Sequence, residues 1–129
     1  MKSMASFKAV ALAAALSFAS LTVPALADES AEVSTAGTHA GMAAASTDIK
    51  MVHMHLHHVV NCLVGSSGAG FDKSAGNPCD GKGNGAIPEA AADKAGGLQA
   101  ALAKAQAGIA ADDLTEARKD AADAQGMLK

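Results

Sequence analysis

The stretch that most restricts how this chain can fold is GSSGAGFDKSAGNPCDGKGNGA, residues 65–86, which holds seven glycines in 22 residues. Such backbone freedom excludes a helix or a long strand here. A loop of this length inside a small domain is usually functional or held down by other contacts. Cys62 precedes it and Cys79 lies within it. We therefore predict a Cys62–Cys79 disulfide that ties a Gly-rich loop, residues 65–87, to the helix before it.

The N-terminus indicates an oxidising compartment, as a disulfide requires. Lys2 and Lys8 are followed by small and apolar residues as far as Ala27, the pattern of a secretory signal. We predict a signal peptide at 1–27 and a periplasmic or secreted protein without a membrane span after cleavage. Removal of the signal leaves 13 acidic residues against eight basic ones. Nucleic acid is therefore not an expected partner.

The rest of the chain is predicted to be helical around a thin core. Apolar residues recur at helical spacing in residues 47–64 and again in residues 88–128, where they predict a helical hairpin. Residues 28–46 are small and polar without periodicity, and we predict a flexible leader in which His39 is a solvated side chain. The predicted fold of the helical domain, residues 47–129, is all-α, a small three-helix bundle with the Gly-rich loop after its first helix.

Four of the five histidines lie within six residues of the first predicted helix, in the sequence MVHMHLHH. Imidazoles three or four residues apart lie on one side of a helix and can bind a common ion. Imidazole suits copper, zinc and nickel, and methionine thioethers favour Cu(I), so copper is the expected ion, otherwise zinc or nickel. The candidate ligands are His53, His55, His57, His58, Met51 and Met54.

Two other interpretations of these histidines remain open at the sequence level. An amphipathic helix needs polar residues on its outer face, and histidine can serve there without binding anything. Four neighbouring imidazoles would also become charged and repel one another below a pH of about 6.5, which would make the cluster a pH sensor.

Patterns typical of enzymes and haem proteins are missing from the chain. The helix has no H-E-x-x-H motif, because Met54 and Leu56 stand where its glutamate would be. C-x-x-C-H is absent, and after the predicted signal peptide the sequence has a single aromatic residue, Phe71, which is too few to enclose a haem. DGKGNGAI resembles the start of an EF-hand loop, but Lys82 and Ala91 replace two of its oxygen ligands. We expect no enzyme activity and no haem.

The C-terminal sequence ALAKAQAGIAADDLTEARKDAADAQGMLK resembles the alanine-rich helical hairpins of the small periplasmic metal-binding proteins of nitrifying bacteria. The resemblance implies a periplasmic helical bundle that binds divalent transition metals. It implies no ligand residue, because the hairpin has none of the histidines that this family carries.

These observations together predict a noncatalytic protein that binds a transition metal through a His- and Met-rich helix and acts as a buffer or carrier. The alternative is a disulfide-stabilised interaction module that docks on an envelope protein complex, with the histidines as a solvated face or pH sensor. A homo-oligomer is compatible with either function.

Overall fold

The computed structural model describes residues 29–129, so the predicted signal peptide 1–27 lies outside the described residues. This part of the chain is all-α, as predicted. Its helices are α1 (Glu29–Ala45), α2 (Ile49–Val64), α3 (Ala86–Glu89), α4 (Ala92–Ala110) and α5 (Leu114–Met127), with a 3₁₀ turn at Lys73–Ala75. Four of these helices are long, and they pack as a bundle rather than the predicted bundle of three.

The additional helix is α1, which occupies the residues predicted to be a flexible leader, 28–46. Its buried positions recur at helical spacing and, apart from Glu32, they are alanines, with Ala36, Ala40 and Ala43 fully buried. Alanine is the strongest helix former, but it gives too weak an apolar pattern to be recognised as a core face. The hydroxyls of Thr35 and Thr38 donate to the carbonyls four residues earlier, so these polar side chains are accommodated within the helix.

Helix α2 is the central element, since it packs against α1, α4 and α5. Asp48 caps its N-terminus by accepting hydrogen bonds from the backbone of Lys50 and Met51. The large apolar side chains that it buries completely are Val52, Leu56, Val59 and Leu63. This agrees with the predicted helix 47–64 and with the face that its periodicity assigns to the core.

Helices α4 and α5 form a hairpin within the predicted range 88–128. Gly108 permits a close approach here, because a Cβ on it would lie 2.6 Å from Leu56 Cδ1 and 3.2 Å from the Ala117 carbonyl oxygen. The outer side of the hairpin carries an ion-pair network in which Lys104 Nζ lies 3.2 Å from Asp120 and 3.3 Å from Asp123. Small contact residues thus bring α2, α4 and α5 together.

The Gly-rich loop, predicted at 65–87, is held against α2 by the Cys62–Cys79 disulfide, which is confirmed. Gly65 ends α2 with a φ of 72° and lies directly against the Asn84 backbone, so a side chain is excluded there. The loop contains the 3₁₀ turn and leads into the short α3. This arrangement brings the loop alongside the histidines of α2.

Candidate metal centre

Three histidines from two helices meet in the groove between α1 and α2. The Nδ1 of His39 lies 3.2 Å from the Nδ1 of His55 and 3.2 Å from the Nδ1 of His58. One ring nitrogen from each residue lies within 4.8 Å of the other two, and all three side chains are half-buried. We call these three residues the His triad.

The spacing of the ring nitrogens matches that of metal ligands. A tetrahedral ion with metal–nitrogen bonds of about 2.0–2.1 Å holds its ligand nitrogens about 3.3–3.4 Å apart. The two separations of 3.2 Å from His39 lie close to this value. A ring proton can form a hydrogen bond between only two of the three nitrogens at a time. A cation among the rings would instead accept a lone pair from each of the three nitrogens. The His triad can therefore hold a metal ion.

The antiparallel packing of α1 and α2 creates the triad. The two helices are joined by residues 46–48, so positions equally distant from this connector face each other. His39 is six residues before the end of α1, and His55 is six residues after the start of α2. His58 is three residues further along the same side of α2.

The loop fixes which nitrogen of His58 is free to bind a metal. His58 Nε2 lies 2.7 Å from the carbonyl oxygen of Ala75. A carbonyl can only accept, so Nε2 carries the proton and donates it, and the lone pair of the neutral ring is on Nδ1. That nitrogen is the one that faces His39. Hydrogen bonds of this kind orient metal-binding histidines and increase their basicity.

Asn61 holds the Ala75 carbonyl in position. Its fully buried amide donates to the carbonyls of Asp72 at 2.8 Å and Gly76 at 2.7 Å, and accepts from the Asp72 N–H at 2.8 Å. The 3₁₀ turn between those two residues is thereby fixed to α2, one turn from His58. The loop therefore contributes to the triad indirectly, through the position of one carbonyl oxygen.

Burial and neighbouring charge favour the neutral form of two triad rings, His39 and His55. Burial lowers the pKa of His39 below its ordinary value, and the neighbouring His58 and His55 lower it further. Burial likewise lowers the pKa of His55, with a further contribution from His58. A neutral imidazole has the lone pair that a metal needs, so the lowered pKa of His39 and of His55 favours the form of these two rings that can bind a metal.

Two of the predicted ligands are not brought into the triad. His53 Nε2 donates to the Ala111 carbonyl at 2.9 Å, at the C-terminus of α4. His57 Nδ1 lies 3.5 Å from Asp72 Oδ2. These two rings therefore connect α2 to the hairpin and to the loop.

The other predicted ligands are distributed around the triad. His55 and His58 belong to it, and Met51 and Met54 are exposed on the same helix.

His39 differs from its sequence interpretation as a solvated side chain, because the residues around it are helical and packed. The signal that could have revealed it is the spacing of small residues in α1, which places His39 beside the buried Ala40 and Ala43.

Comparisons with protein-family models, with curated proteins and with solved structures found no match to this chain. Among residues 29–129, no helix combines the length and the apolar character needed to cross a membrane. The candidate function therefore rests on the chemistry of the His triad.

Proposed function

We propose that this protein is a noncatalytic transition-metal-binding protein of the periplasm or the secreted fraction, which buffers or carries the ion held by the His triad. Copper, zinc and nickel are the candidate ions, because all three are bound by imidazole. The observation that carries the proposal is the convergence of three Nδ1 atoms, with His39 within 3.2 Å of both its neighbours. The outer hydrogen bond from His58 to Ala75 supports it.

The role of buffer or carrier follows from the position of the site. The three rings are half-buried in a groove between two helices, so an ion can enter and leave without unfolding of the bundle. The proposal of no enzymatic activity rests on the sequence, which lacks the catalytic motifs considered above.

The test is metal content and metal affinity. Protein purified from the periplasm is analysed by elemental mass spectrometry and then titrated with Cu(II), Zn(II) and Ni(II) in competition with chelators. We expect one ion per chain, and we expect His39→Ala to weaken binding by at least about 100-fold, since it removes one of three ligands.

The matched control is His53→Ala, which removes an imidazole from the same histidine-rich helix but outside the triad and away from the loop that orients His58. We expect this variant to bind the ion as tightly as the unchanged protein. If His53→Ala weakens binding as strongly as His39→Ala does, the ion is held by the histidine-rich segment of α2 and not by the triad.

A second candidate function, docking on an envelope protein, is favoured by one observation. An apolar groove of about 660 Å³ lies between α1, α4 and the end of α5, lined in part by Val33, Leu98 and Met127. Met127 is 43% exposed, so Met127→Asp places a charge in the groove without disturbing the core. A partner that binds through this groove would be lost in Met127→Asp and retained in His39→Ala.

A further inference from the structure

Exposed methionines are concentrated beside the His triad. The large apolar side chains that are exposed among the described residues are Met42 (47%), Met51 (42%), Met54 (36%) and Met127 (43%). Exposed apolar side chains that gather at one place on a surface indicate a binding function. Three of the four stand one helical turn from a triad histidine, in the pairs Met42 and His39, Met51 and His55, and Met54 and His58.

Two of these methionines stand at the same end of the triad. Met42 follows His39 on α1, which runs towards the connector, and Met51 precedes His55 on α2, which runs away from it. Both methionines therefore lie on the connector side of the rings. The two methionines thus stand on the same side of the triad, one on each helix.

Met51 lies closer to the axis of the site than Met54 does. With 100° between successive residues, Met51 falls between His55 and His58 around α2, whereas Met54 falls beyond His58 towards solvent. Met42 was not among the residues that the sequence suggested, because it lies on α1. Packing of α1 against α2 brings it near the triad.

We infer that the His triad takes Cu(I), with the thioethers of Met42 and Met51 completing its coordination. This inference rests on the proposed function. Three imidazoles alone accept zinc, nickel or copper, but a thioether is a soft ligand that selects Cu(I) among these ions. Methionine sulfur binds without losing a proton, so it adds no charge to a site whose burial disfavours charge. An exposed methionine can also bind the ion first and pass it to the rings.

The test compares Cu(I) and Zn(II) affinity in the variant Met42→Leu/Met51→Leu. Leucine preserves the size and apolar character of the side chains and removes only the sulfur. Cu(I) is maintained with ascorbate, which leaves the Cys62–Cys79 disulfide intact, and its affinity is measured against a chromophoric Cu(I) chelator. We expect Cu(I) to bind at least about tenfold more weakly to the double variant, while Zn(II) affinity is unchanged. X-ray absorption of the Cu(I) form should show sulfur scattering that the double variant lacks.

The matched control is Met127→Leu, which changes a similarly exposed methionine in the groove lined by Val33 and Leu98. Unchanged Cu(I) affinity in the double variant, or an equal loss in Met127→Leu, would overturn the inference about the thioethers and leave the His triad as a site in which the imidazoles alone bind the ion. If His39→Ala retains the affinity for both ions, the proposed function itself fails, and the inference fails with it.

Discussion

At the scale of single residues, the chemistry of this protein depends on a few buried polar groups. The buried amide of Asn61 positions the carbonyl that orients His58. Glu32 is a different case, because its side chain is 1% exposed and one of its oxygens, Oε2, has no hydrogen-bond partner. A buried carboxylate with an unpaired oxygen costs stability when it is ionised.

We expect Asn61→Ala to lower stability and metal affinity together. The substitution leaves the backbone groups of Asp72 and Gly76 without their partners, which costs about 1–3 kcal/mol. It also frees the Ala75 carbonyl, and loss of such an outer hydrogen bond weakens metal binding by about 10–100-fold. Urea unfolding and chelator competition measure the two effects. Loss of stability with unchanged metal affinity would show that Asn61 does not act through His58.

Glu32 should make the stability of the protein fall as the pH rises. Burial raises its pKa, the Gly85 N–H lowers it and the nearby Glu89 raises it, with burial the largest effect. The folded state therefore keeps a proton that the unfolded state loses near pH 4.5, so above that pH ionisation of Glu32 favours unfolding. Urea unfolding at several pH values should show that Glu32→Gln is more stable than the unchanged protein at pH 7 but not at pH 4. Equal differences at both values would contradict this.

At the scale of the helices, closeness of approach is set by glycine and alanine. Helix α1 contributes buried alanines, and α4 contributes Gly108 where it meets α2 and α5. The same helix contains Gly97, where a Cβ would meet no atom within 4 Å. Gly97 and Gly108 belong to the same helix, but only Gly108 is needed for close packing, because atoms of other elements lie beside it.

The two glycines of α4 should respond in opposite directions to the same substitution. Gly97→Ala should stabilise the protein by up to about 1 kcal/mol, since alanine is the better helix former and the space is open. Gly108→Ala should destabilise it by about 1–3 kcal/mol, because the new methyl group would press on Leu56 and the Ala117 carbonyl. Thermal unfolding of both variants checks the prediction. A stabilising Gly108→Ala would mean that α4 can move away from α2.

At the scale of the whole molecule, the disulfide and the His triad connect elements of the same bundle. The disulfide closes the loop that carries Ala75, and the triad joins α1 to α2. A core in which Leu56 and Leu63 are the largest fully buried side chains leaves much of the stability to such links. Loss of the disulfide or of the contact between the triad histidines should therefore affect the stability of the whole bundle.

Replacement of both cysteines, Cys62→Ala/Cys79→Ala, should lower the free energy of unfolding by about 3 kcal/mol, because a disulfide that closes a loop of this length stabilises a protein by about that amount. It should also weaken metal binding, because the Ala75 carbonyl then loses the constraint on its loop. Chemical unfolding and metal titration of the double variant give both values. Metal affinity equal to that of the unchanged protein would show that Asn61 alone is sufficient to hold the loop.

A bound ion should stabilise the bundle by mass action. At a free metal concentration about 100 times the dissociation constant, binding adds about 2.7 kcal/mol to the free energy of unfolding. Calorimetric melting with and without the ion measures this gain. This gain should disappear in His39→Ala, because an ion bound to the remaining histidines of α2 would no longer connect α1 to α2. A gain that persists there would mean that binding does not depend on the contact between these helices.

Much of the fold could be predicted from the sequence, and part of the site. The large apolar residues of α2 mark its buried face, Cys62 and Cys79 are the only pair available for a disulfide, and His55 and His58 stand out by their density. Helix α1 escaped recognition because alanine and glycine produce almost no contrast between its two faces. His39 and Met42 were missed for the same reason, as they belong to that helix.

The local features of this protein follow from the order of its residues. Helical spacing, the Asp48 cap and the glycine-rich loop depend on neighbouring residues, which the chain order shows directly. Which histidines meet depends on the packing of α1 against α2, because His39 is 16 residues from His55. His53 and His57 lie instead beside Ala111, at the end of α4, and Asp72, in the loop. A ligand set formed across two helices follows from their docking, which local spacing does not encode.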